Sequence, residues 1–376
     1  MYDAIIIGAG PAGLMAARHL NEGGLKTLVL EEDKEVGKPV NCAGLFSATG
    51  LEKLDIKQGD FILNSVKGSR FFSRDGNSAE IGGKENKAYV VDRARFDSHL
   101  AELYSGELRL GERCIEIKKE LAGYEIKTEK GSEKCEKLII ATGPSQLPLQ
   151  LGFGVPEKYI DSIQYEIEGV EIDENFVDLY FGSIAPGFFA WMIPTSDSKA
   201  RVGLGVLDAS KRPLEYINEF LSYLKKEGKI KGHNKVISKG GGIIPLYDSS
   251  LALQIGDAYL IGDAATQVKA TTGGGVMMGG LAAKALADSI LSGTDYVTNL
   301  TEVNKELKMH IFARKILNRF GDEQYSHMMD FLRKDDVRAI LEKSGDMDFL
   351  KPLVHEFMKN PKSMGGLAKL FMKGMI

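Results

Sequence analysis

The chain has 376 residues, of which 43% are apolar and 27% charged, and 48 basic against 52 acidic residues give a net charge of −4. This balance is typical of a globular protein of about two domains, and it argues against a general nucleic-acid binder, which would carry a large basic excess. Three cysteines exclude a disulfide framework and a four-thiolate iron–sulfur cluster, so we predict a cytoplasmic protein without a metal site.

The first residues have the pattern of a βαβ unit. Residues 3–7 read as a buried parallel strand, a helix follows to about Leu20, and residues 26–31 read as a second strand. A helix is predicted after Asp92, which is a plausible N-cap, and residues 137–142 look like another buried strand.

Beyond about residue 158 the pattern changes to the alternation of an antiparallel sheet, rich in aromatic and β-branched residues. A helix is predicted over 213–227, a buried strand over 258–263, a helix to about 291, and helices from 302 onward. The segments that alternate are 161–170, 175–183, 188–193 and 200–207.

A glycine fingerprint, G-x-G-x-x-G, occupies residues 8–13 after the first strand. Its glycines permit a tight turn, let the backbone approach a pyrophosphate, and let helix and strand pack closely. Glu31, at the end of the second strand, can accept ribose hydroxyls, unless it is an unrelated surface acid. We therefore predict dinucleotide contacts from Gly8, Gly10, Pro11, Ala12, Gly13 and Glu31.

A second segment favours FAD over NAD. Asp263 ends a strand, and Gly273, Gly274 and Gly275 open a helix ten to twelve residues later. This resembles the flavoprotein pattern in which the aspartate binds the ribityl chain and the helix N-terminus faces the flavin. The alternative interpretation is an aspartate that caps a helix.

Two further segments agree with a flavoprotein. Residues 92–97 resemble a flavoprotein helix whose first arginine contacts FAD, a role that the resemblance assigns to Arg93, while Arg95 and Asp97 are expected on a solvated face. Residues 139–143 resemble the strand end that passes near the cofactor, although an ordinary strand exit has the same sequence.

Three loops together resemble the geranylgeranyl reductase family, within the aromatic-hydroxylase-like flavoproteins, over nearly the whole chain. Residues 37–42 are similar to G-x-P-x-x-C, residues 268–275 to V-K-P-T-T-G-G-G, and residues 186–194 to P-x-x-Y-x-W-x-F-P. The chain departs from these motifs in having Phe189 for the tyrosine, Ile193 for the phenylalanine and Ala270 for the loop proline.

The resemblance implies an α/β fold (α+β overall). A Rossmann-type FAD-binding domain is predicted from residues 1–150 and 250–300, with an antiparallel cap at 151–249 and a helical region at 301–376. The further predicted cofactor contacts are Glu32, Cys42, Ala43, Gly44, Cys114, Ala141, Gly143, Gly274, Gly275 and Val276.

The implied reaction is hydride transfer from reduced flavin to an alkene of a geranylgeranyl chain, in archaeal lipids or prenyl diphosphates. An isolated alkene accepts hydride poorly, so a proton donor is needed. Cys42 is the candidate, and it is equally an apolar liner of the site. Phe189, Trp191 and Pro194 are predicted to line the lipid pocket, although aromatic residues on a sheet usually form core.

Several points stay open. The electron donor is NADPH, ferredoxin or reduced deazaflavin. Residues 366–373 either rest on a membrane surface or pack on the cap. A flavin monooxygenase or halogenase shares the fold, and a non-redox prenyl escort protein reuses it.

Overall fold

The computed structural model describes residues 1–373, with side chains to Leu370. The strands are β1 Tyr2–Ile7, β2 Thr27–Leu30, β3 Leu45–Ser47, β4 Ile62–Val66, β5 Gly68–Phe72, β6 Ser78–Gly82, β7 Ala88–Val91, β8 Glu107–Arg109, β9 Cys114–Lys119, β10 Tyr124–Thr128, β11 Ser132–Ile140, β12 Tyr159–Val170, β13 Phe176–Tyr180, β14 Ala190–Ser196, β15 Lys199–Val206, β16 Ile230–Pro245, β17 Gln254–Ile255 and β18 Ala258–Leu260. The helices are α1 Pro11–Glu22, α2 Ala48–Lys53, α3 Arg93–Glu102, α4 Pro213–Lys226, α5 Val276–Ser292, α6 Tyr296–Asn299, α7 Thr301–Leu317, α8 Asp322–Leu332, α9 Asp335–Ser344, α10 Lys351–Met358 and α11 Pro361–Lys373.

The chain divides into two compact units, each assembled from separate stretches of sequence. The first, here the nucleotide unit, contains Met1–Val40, Arg93–Tyr159 and Ile244–Lys308. The second, here the sheet unit, contains Asn41–Asp92, Ile160–Ile243 and the described residues from Met309 onward. Residues 41–92, which the sequence analysis placed in the first domain, therefore lie in the sheet unit.

The nucleotide unit is built on a sheet with the order β17-β18-β11-β1-β2-β8. β1 pairs in parallel with β11 and β2, and β11 pairs in parallel with β18. β1 reads as a run of isoleucines, of which Ile5 and Ile6 are fully buried, because a parallel sheet is covered on both faces. The predicted Rossmann-type α/β fold is confirmed.

Helices α1 and α5 approach each other closely beside this sheet. A Cβ atom placed on Gly279 would lie 3.2 Å from Gly262 Cα and 3.3 Å from Ala12 Cβ, so only small residues fit there. β1, β11 and β18 are parallel, so the chain leaves all three at one edge of the sheet. In open α/β sheets, ligands bind at this edge.

The sheet unit contains a seven-stranded sheet with the order β16-β12-β15-β14-β13-β5-β6 and a smaller sheet, β3-β7-β4. The four alternating segments predicted from the sequence form β12 to β15, which pair antiparallel except where β13 meets β5. α4 covers one face, where Ile217 and Phe220 pack with Met192, Val202 and Leu204. Strand β16 and the strands between residues 62 and 82 were not predicted.

The helices after residue 320 enclose a small core of their own. Phe331, Val337, Phe357 and Leu370 are buried in it, and Leu367 packs against it. The side chains of residues 371–373 and all of 374–376 lie outside the described residues, so membrane contact by 366–373 stays a prediction. Within the described chain, none of the helices combines the length and apolarity needed to span a bilayer.

Candidate active site

The turn between β1 and α1 depends on two of the fingerprint glycines. Gly8 has φ +105°, and a Cβ atom there would lie 2.5 Å from the Ala141 carbonyl oxygen. A Cβ atom on Gly13 would lie 2.0 Å from the Gly8 carbonyl oxygen. Both positions therefore require glycine for the fold itself, because the backbone of the turn lies too close to α1 and to the residue after β11 to admit a Cβ atom.

Gly10 is different, because a Cβ atom placed there meets no described heavy atom within 4 Å. Gly10 is the N-cap of α1, and Pro11 begins the helix. Among the described residues, no side chain caps this N-terminus and no acid lies in its first turn. Open space before a positive helix end matches the needs of a pyrophosphate.

Glu31 is tied to the fingerprint loop. Its Oε2 accepts a hydrogen bond from Ala9 N at 2.7 Å, and Oε1 accepts one from Asp33 N at 2.9 Å. Glu31 therefore joins the glycine turn to the end of β2, where the sequence predicts the ribose site. The neighbouring Glu32 is exposed, 3.3 Å from Arg113 Nε.

Cys114 lies at the start of β9. Burial raises the pKa of its thiol to about 11, and the side chain packs against the core beneath β10 and β11. Ala141 and Gly143 follow β11, and Gly143 has φ +66°. Contact of these residues with a cofactor stays a prediction.

Arg93 opens α3 and is held by Asp97 one turn later. Arg93 Nε lies 3.0 Å from Asp97 Oδ1, and Nη2 lies 2.8 Å from Oδ2. The expectation that Asp97 is solvated was wrong, since its exposed fraction is only 3%, whereas Arg95 is exposed as expected. A buried two-point ion pair fixes the guanidinium of Arg93 in place.

Asp263 lies against the start of α5. A Cβ atom on Gly275, the N-cap of α5, would lie 2.6 Å from Asp263 Oδ1. Burial raises the pKa of Asp263, and the nearby charge of Arg93 acts in the opposite direction. No described side chain makes a capping bond to α5, so this structure does not support a capping role for Asp263.

The loop before α5 closes on itself and carries an unsatisfied hydroxyl. Gly273 N donates to Lys269 O at 2.8 Å, and Lys269 N donates to Gly274 O at 3.2 Å. The Lys269 side chain is buried beside Gly274, and Val276 follows as the first residue of α5. Thr272 Oγ1 is buried without a hydrogen-bond partner in the described structure. A buried polar atom of this kind can accept a further hydrogen bond from a ligand or a water molecule, as can Thr195 Oγ1 elsewhere in the described structure.

In the sheet unit, Trp191 lies flat across β15. Trp191 pairs with Gly203, and a Cβ atom on Gly203 would lie 2.6 Å from the indole ring. The indole Nε1 donates to Gln164 Oε1 at 2.9 Å. Met192 and Val202 face α4, so alternation places Trp191 and Gly203 on the opposite face of the sheet.

Further aromatic rings continue from Trp191 on this side. The ring centres of Phe189 and Trp191 are 5.8 Å apart, and Phe189 is also 5.8 Å from Phe181. Phe181 and Phe189 are only half-buried, whereas Pro194, further along β14, is buried. The half-buried rings present the kind of apolar surface that binds hydrocarbon.

Cys42 belongs to a loop that Arg201 holds from β15. Arg201 Nη1 donates to the carbonyl oxygens of Ala43 and Val91, each at 2.8 Å. Gly44 has φ +66°, and its N–H donates to Cys42 Sγ at 3.4 Å. The Cys42 thiol is half-buried, while the third cysteine, Cys135, is buried in the nucleotide unit and its pKa is raised to about 12.

Sequence analysis missed Gly203, Arg201 and Thr272. The first two follow a usable signal: in Lys199–Val206, apolar residues alternate with Arg201, Gly203 and Gly205, which leaves one sheet face with a single long cation beside two glycines in the middle of the strand. Thr272 lies inside the motif of residues 268–275, but its unsatisfied hydroxyl appears only when the loop is folded.

The nucleotide unit places the uncapped start of α1, Glu31, the buried Asp263 and the unsatisfied hydroxyl of Thr272 near the carboxyl edge of a parallel sheet. Fold and site together define a flavin-dependent oxidoreductase.

The comparisons with known proteins identify the family. Residues 5–175 match the pyridine nucleotide-disulphide oxidoreductases, and residues 159–244 match the geranylgeranyl reductase catalytic domain. A digeranylgeranylglycerophospholipid reductase from Methanocaldococcus jannaschii is 30% identical over 364 residues, which cover 92% of this chain and 88% of the relative. The chain belongs to the geranylgeranyl reductase family.

Solved structures share the fold. A geranylgeranyl bacteriochlorophyll reductase-like protein from Thermoplasma acidophilum has a TM-score of 0.81 at 24% identity, over 98% of this chain and 99% of the other. The halogenase PltM has a TM-score of 0.69 at 16% identity, over 98% of this chain and 86% of the other. At these identities the likeness establishes the shared fold alone.

Proposed function

We propose that this protein uses FAD to saturate double bonds of geranylgeranyl chains in isoprenoid phospholipids. The observation that carries the substrate class is the pair of half-buried rings Phe181 and Phe189, which pack beside the buried Trp191 that Gln164 holds by a hydrogen bond. The family and the name of the methanogen relative support the same substrate. A rigid apolar surface favours a hydrocarbon tail over a polar substrate.

The nucleotide unit supplies the groups that would hold FAD, which provides the hydride when it is bound in its reduced form. The start of α1 at Gly10 would bind the pyrophosphate, and Glu31 the ribose. Asp263 would accept hydrogen bonds from the ribityl hydroxyls. Thr272 would gain the partner that its buried hydroxyl lacks.

Cys42 is the proposed proton donor. Saturation of an alkene needs a proton as well as a hydride, and early proton transfer is required because an isolated alkene accepts hydride poorly. The half-buried Cys42 thiol is restrained by the Gly44 N–H and carried on a loop that Arg201 anchors. The competing interpretation, an apolar lining role, predicts that alanine replaces it without loss.

Stopped-flow reoxidation of the reduced enzyme by unsaturated archaeal lipid separates these two roles. We expect Cys42→Ala to slow reoxidation by about 10²-fold or more, as for loss of a general acid. Cys42→Ser keeps the size of the side chain but not its acidity, because a hydroxyl is a far weaker acid than a thiol, so it should be slow as well. Equal rates for wild type and Cys42→Ala would remove Cys42 as the donor.

Mass spectrometry of lipids from a host that makes unsaturated archaeal lipids tests the function itself. Expression of the protein should add one H2 for each double bond reduced, and Gly13→Ala should abolish the gain. Addition of an oxygen atom to the lipid instead would favour the monooxygenase alternative. A colourless protein that does not bind added flavin would favour the escort alternative. The same assay with NADPH, reduced ferredoxin or reduced deazaflavin identifies the electron donor.

A further inference from the structure

Strand β16 is the outermost strand of the seven-stranded sheet. It runs for 16 residues, from Ile230 to Pro245, and pairs with β12. No strand among residues 1–373 pairs with its other edge. Long unpaired edges invite association, so their side chains indicate which partner they admit.

The charged side chains of β16 are all basic. Lys231, Lys235 and Lys239 lie along it, and residues 230–245 contain no aspartate or glutamate, although the whole chain has a net charge of −4. Lys231 lies 3.0 Å from Glu171, and Lys239 lies over the Tyr165 ring at 4.8 Å. The strand is a basic segment on a mildly acidic protein.

Apolar side chains stand exposed between these lysines. Val236, Ile237 and Ile243 are 39%, 45% and 47% exposed. Lysines interleaved with exposed aliphatic side chains are the composition of segments that bind at the headgroup boundary of a membrane. Here the name lipid edge denotes Lys231, Lys235, Val236, Ile237, Lys239 and Ile243.

The lipid edge ends beside the loop of the proposed proton donor. A Cβ atom on Gly242 would lie 4.0 Å from Asn41 Cβ, and Asn41 directly precedes Cys42. Ser162 Oγ donates to Gly242 O at 2.8 Å, which fixes this end of β16 on β12. The Gly242 end of β16 therefore lies next to the loop that carries Cys42, while Lys235 and Lys239 lie earlier on the strand.

We propose that the lipid edge docks the protein on a membrane surface that carries anionic headgroups. This inference rests on the proposed function, because a phospholipid substrate resides in such a surface. A second copy of the chain suits the edge less well, since antiparallel pairing of two β16 strands would bring lysines together. Edge lysines of this kind oppose strand pairing and attract phosphate.

Vesicle flotation tests the proposal with the flavin-loaded full chain and matched charge-reversal variants. Wild type should float with vesicles of phosphatidylglycerol and phosphatidylcholine, and not with phosphatidylcholine alone. Each surface lysine contributes about a fivefold factor to such binding, so Lys235→Glu/Lys239→Glu should bind about 25-fold more weakly. Lys225→Glu/Lys226→Glu, which alters two exposed lysines of α4, should bind as wild type does.

Equal flotation of the two double variants would overturn the proposal, as would loss of flotation only on removal of residues 362–376. Sedimentation velocity addresses the second-copy outcome: a wild-type dimer that Lys235→Glu/Lys239→Glu converts to monomers would assign the edge to self-association. Circular dichroism melts establish that both variants are folded.

Turnover separates this inference from the proposed function. With vesicle-embedded lipid, Lys235→Glu/Lys239→Glu should lose activity, while activity on detergent-dispersed lipid stays unchanged. Flotation without any lipid reduction would remove the proposed function and leave the docking surface standing. Reduction of lipid without charge-dependent flotation would remove the docking surface and leave the proposed function standing.

Discussion

Arg201 holds Ala43, a residue 158 positions earlier in the chain, through a hydrogen bond of 2.8 Å from its guanidinium to the Ala43 carbonyl oxygen. The same nitrogen holds Val91, so one buried cation joins β15 to β7 and to the loop of Cys42. A Cβ atom on Gly44 would lie 2.4 Å from this nitrogen, which leaves glycine as the residue that fits beside it. Arg201 is therefore a positioning residue for Cys42.

Replacement of Arg201 should release the Cys42 loop. We expect Arg201→Met to lower the free energy of unfolding by about 1.5–3 kcal/mol, since hydrogen bonds from a charged donor are lost. Iodoacetamide should then label Cys42 faster, and Arg201→Lys should restore part of the slow rate. At pH 8 the label reports Cys42, because burial raises the pKa of Cys114 to about 11 and of Cys135 to about 12. Unchanged labelling in Arg201→Met would show that Arg201 does not restrain this loop.

Gly10→Ala and Gly13→Ala should have different effects, the first on FAD binding and the second on the stability of the apoprotein. Gly13→Ala forces a Cβ atom to within 2.0 Å of Gly8 O, so the apoprotein itself should lose about 1–3 kcal/mol of stability. Gly10→Ala meets no described atom, so apoprotein stability should change by less than about 1 kcal/mol, while FAD binding is lost. Urea unfolding of the apoproteins and fluorescence titration with FAD measure the two effects. Normal FAD affinity in Gly10→Ala would refute the pyrophosphate site.

Gly203→Ala should displace Trp191. The added methyl group would lie 2.6 Å from the indole, so the ring must move and the hydrogen bond to Gln164 is strained or broken. We expect a stability loss of about 1–3 kcal/mol and a higher KM for lipid, with FAD affinity unchanged. Trp191 is the single tryptophan of the chain, so its fluorescence spectrum reports the displacement directly.

Gly232→Ala is the matched control for that experiment. Gly232 is an exposed glycine on β16, and a Cβ atom there meets no heavy atom of the described chain within 4 Å. Its fluorescence spectrum and KM should equal those of wild type. A similar change in both variants would mean that the effect is not specific to the Trp191 contact.

Asp263 makes the apoprotein less stable as pH rises. Burial raises its pKa in the folded state, so the folded protein keeps a proton that the unfolded chain releases above its ordinary pKa of about 3.9. Stability therefore falls as pH rises through the window between the ordinary and the raised pKa, and the deficit is complete above the folded pKa.

Asp263→Asn should accordingly melt higher than wild type at pH 7 as an apoprotein, and the difference should shrink toward pH 4 and below. The charge of Arg93 partly offsets the burial of Asp263, so Arg93→Met should widen the difference. Thermal melts of apoprotein across pH 4–8 provide the measurement. If Asp263 binds FAD, Asp263→Asn should be more stable as an apoprotein and should bind FAD more weakly.

Local features of the sequence were sufficient to predict β1, α1, β2 and the glycine turn that joins them. Gly8 and Gly13 lie within six positions of each other, and their need for glycine is set by a backbone turn that neighbouring residues form. The alternation of β12 to β15 is local in the same sense. The fold class followed from these short patterns, whereas the family followed from the resemblance of three loops, residues 37–42, 186–194 and 268–275, to family motifs.

β16 was not predicted because its sequence lacks a buried face: it carries lysines, three consecutive glycines and exposed aliphatic residues instead of an alternating pattern. The solvated position predicted for Asp97 was wrong for a related reason. Its charge predicts a solvated position, whereas burial of its carboxylate depends on Arg93 being held beside it.

The sequence by itself determined the dinucleotide turn, because backbone turns and side-chain periodicity are set by residues a few positions apart. The family and the candidate cysteine followed from the resemblance of three loops to family motifs. The tertiary structure alone decided that Arg201 anchors the Cys42 loop, that Gly203 makes room for Trp191, and that the hydroxyl of Thr272 is buried and unsatisfied. Such contacts form only when segments that are distant in sequence pack together. Burial and hydrogen bonding at these positions are therefore set by tertiary packing.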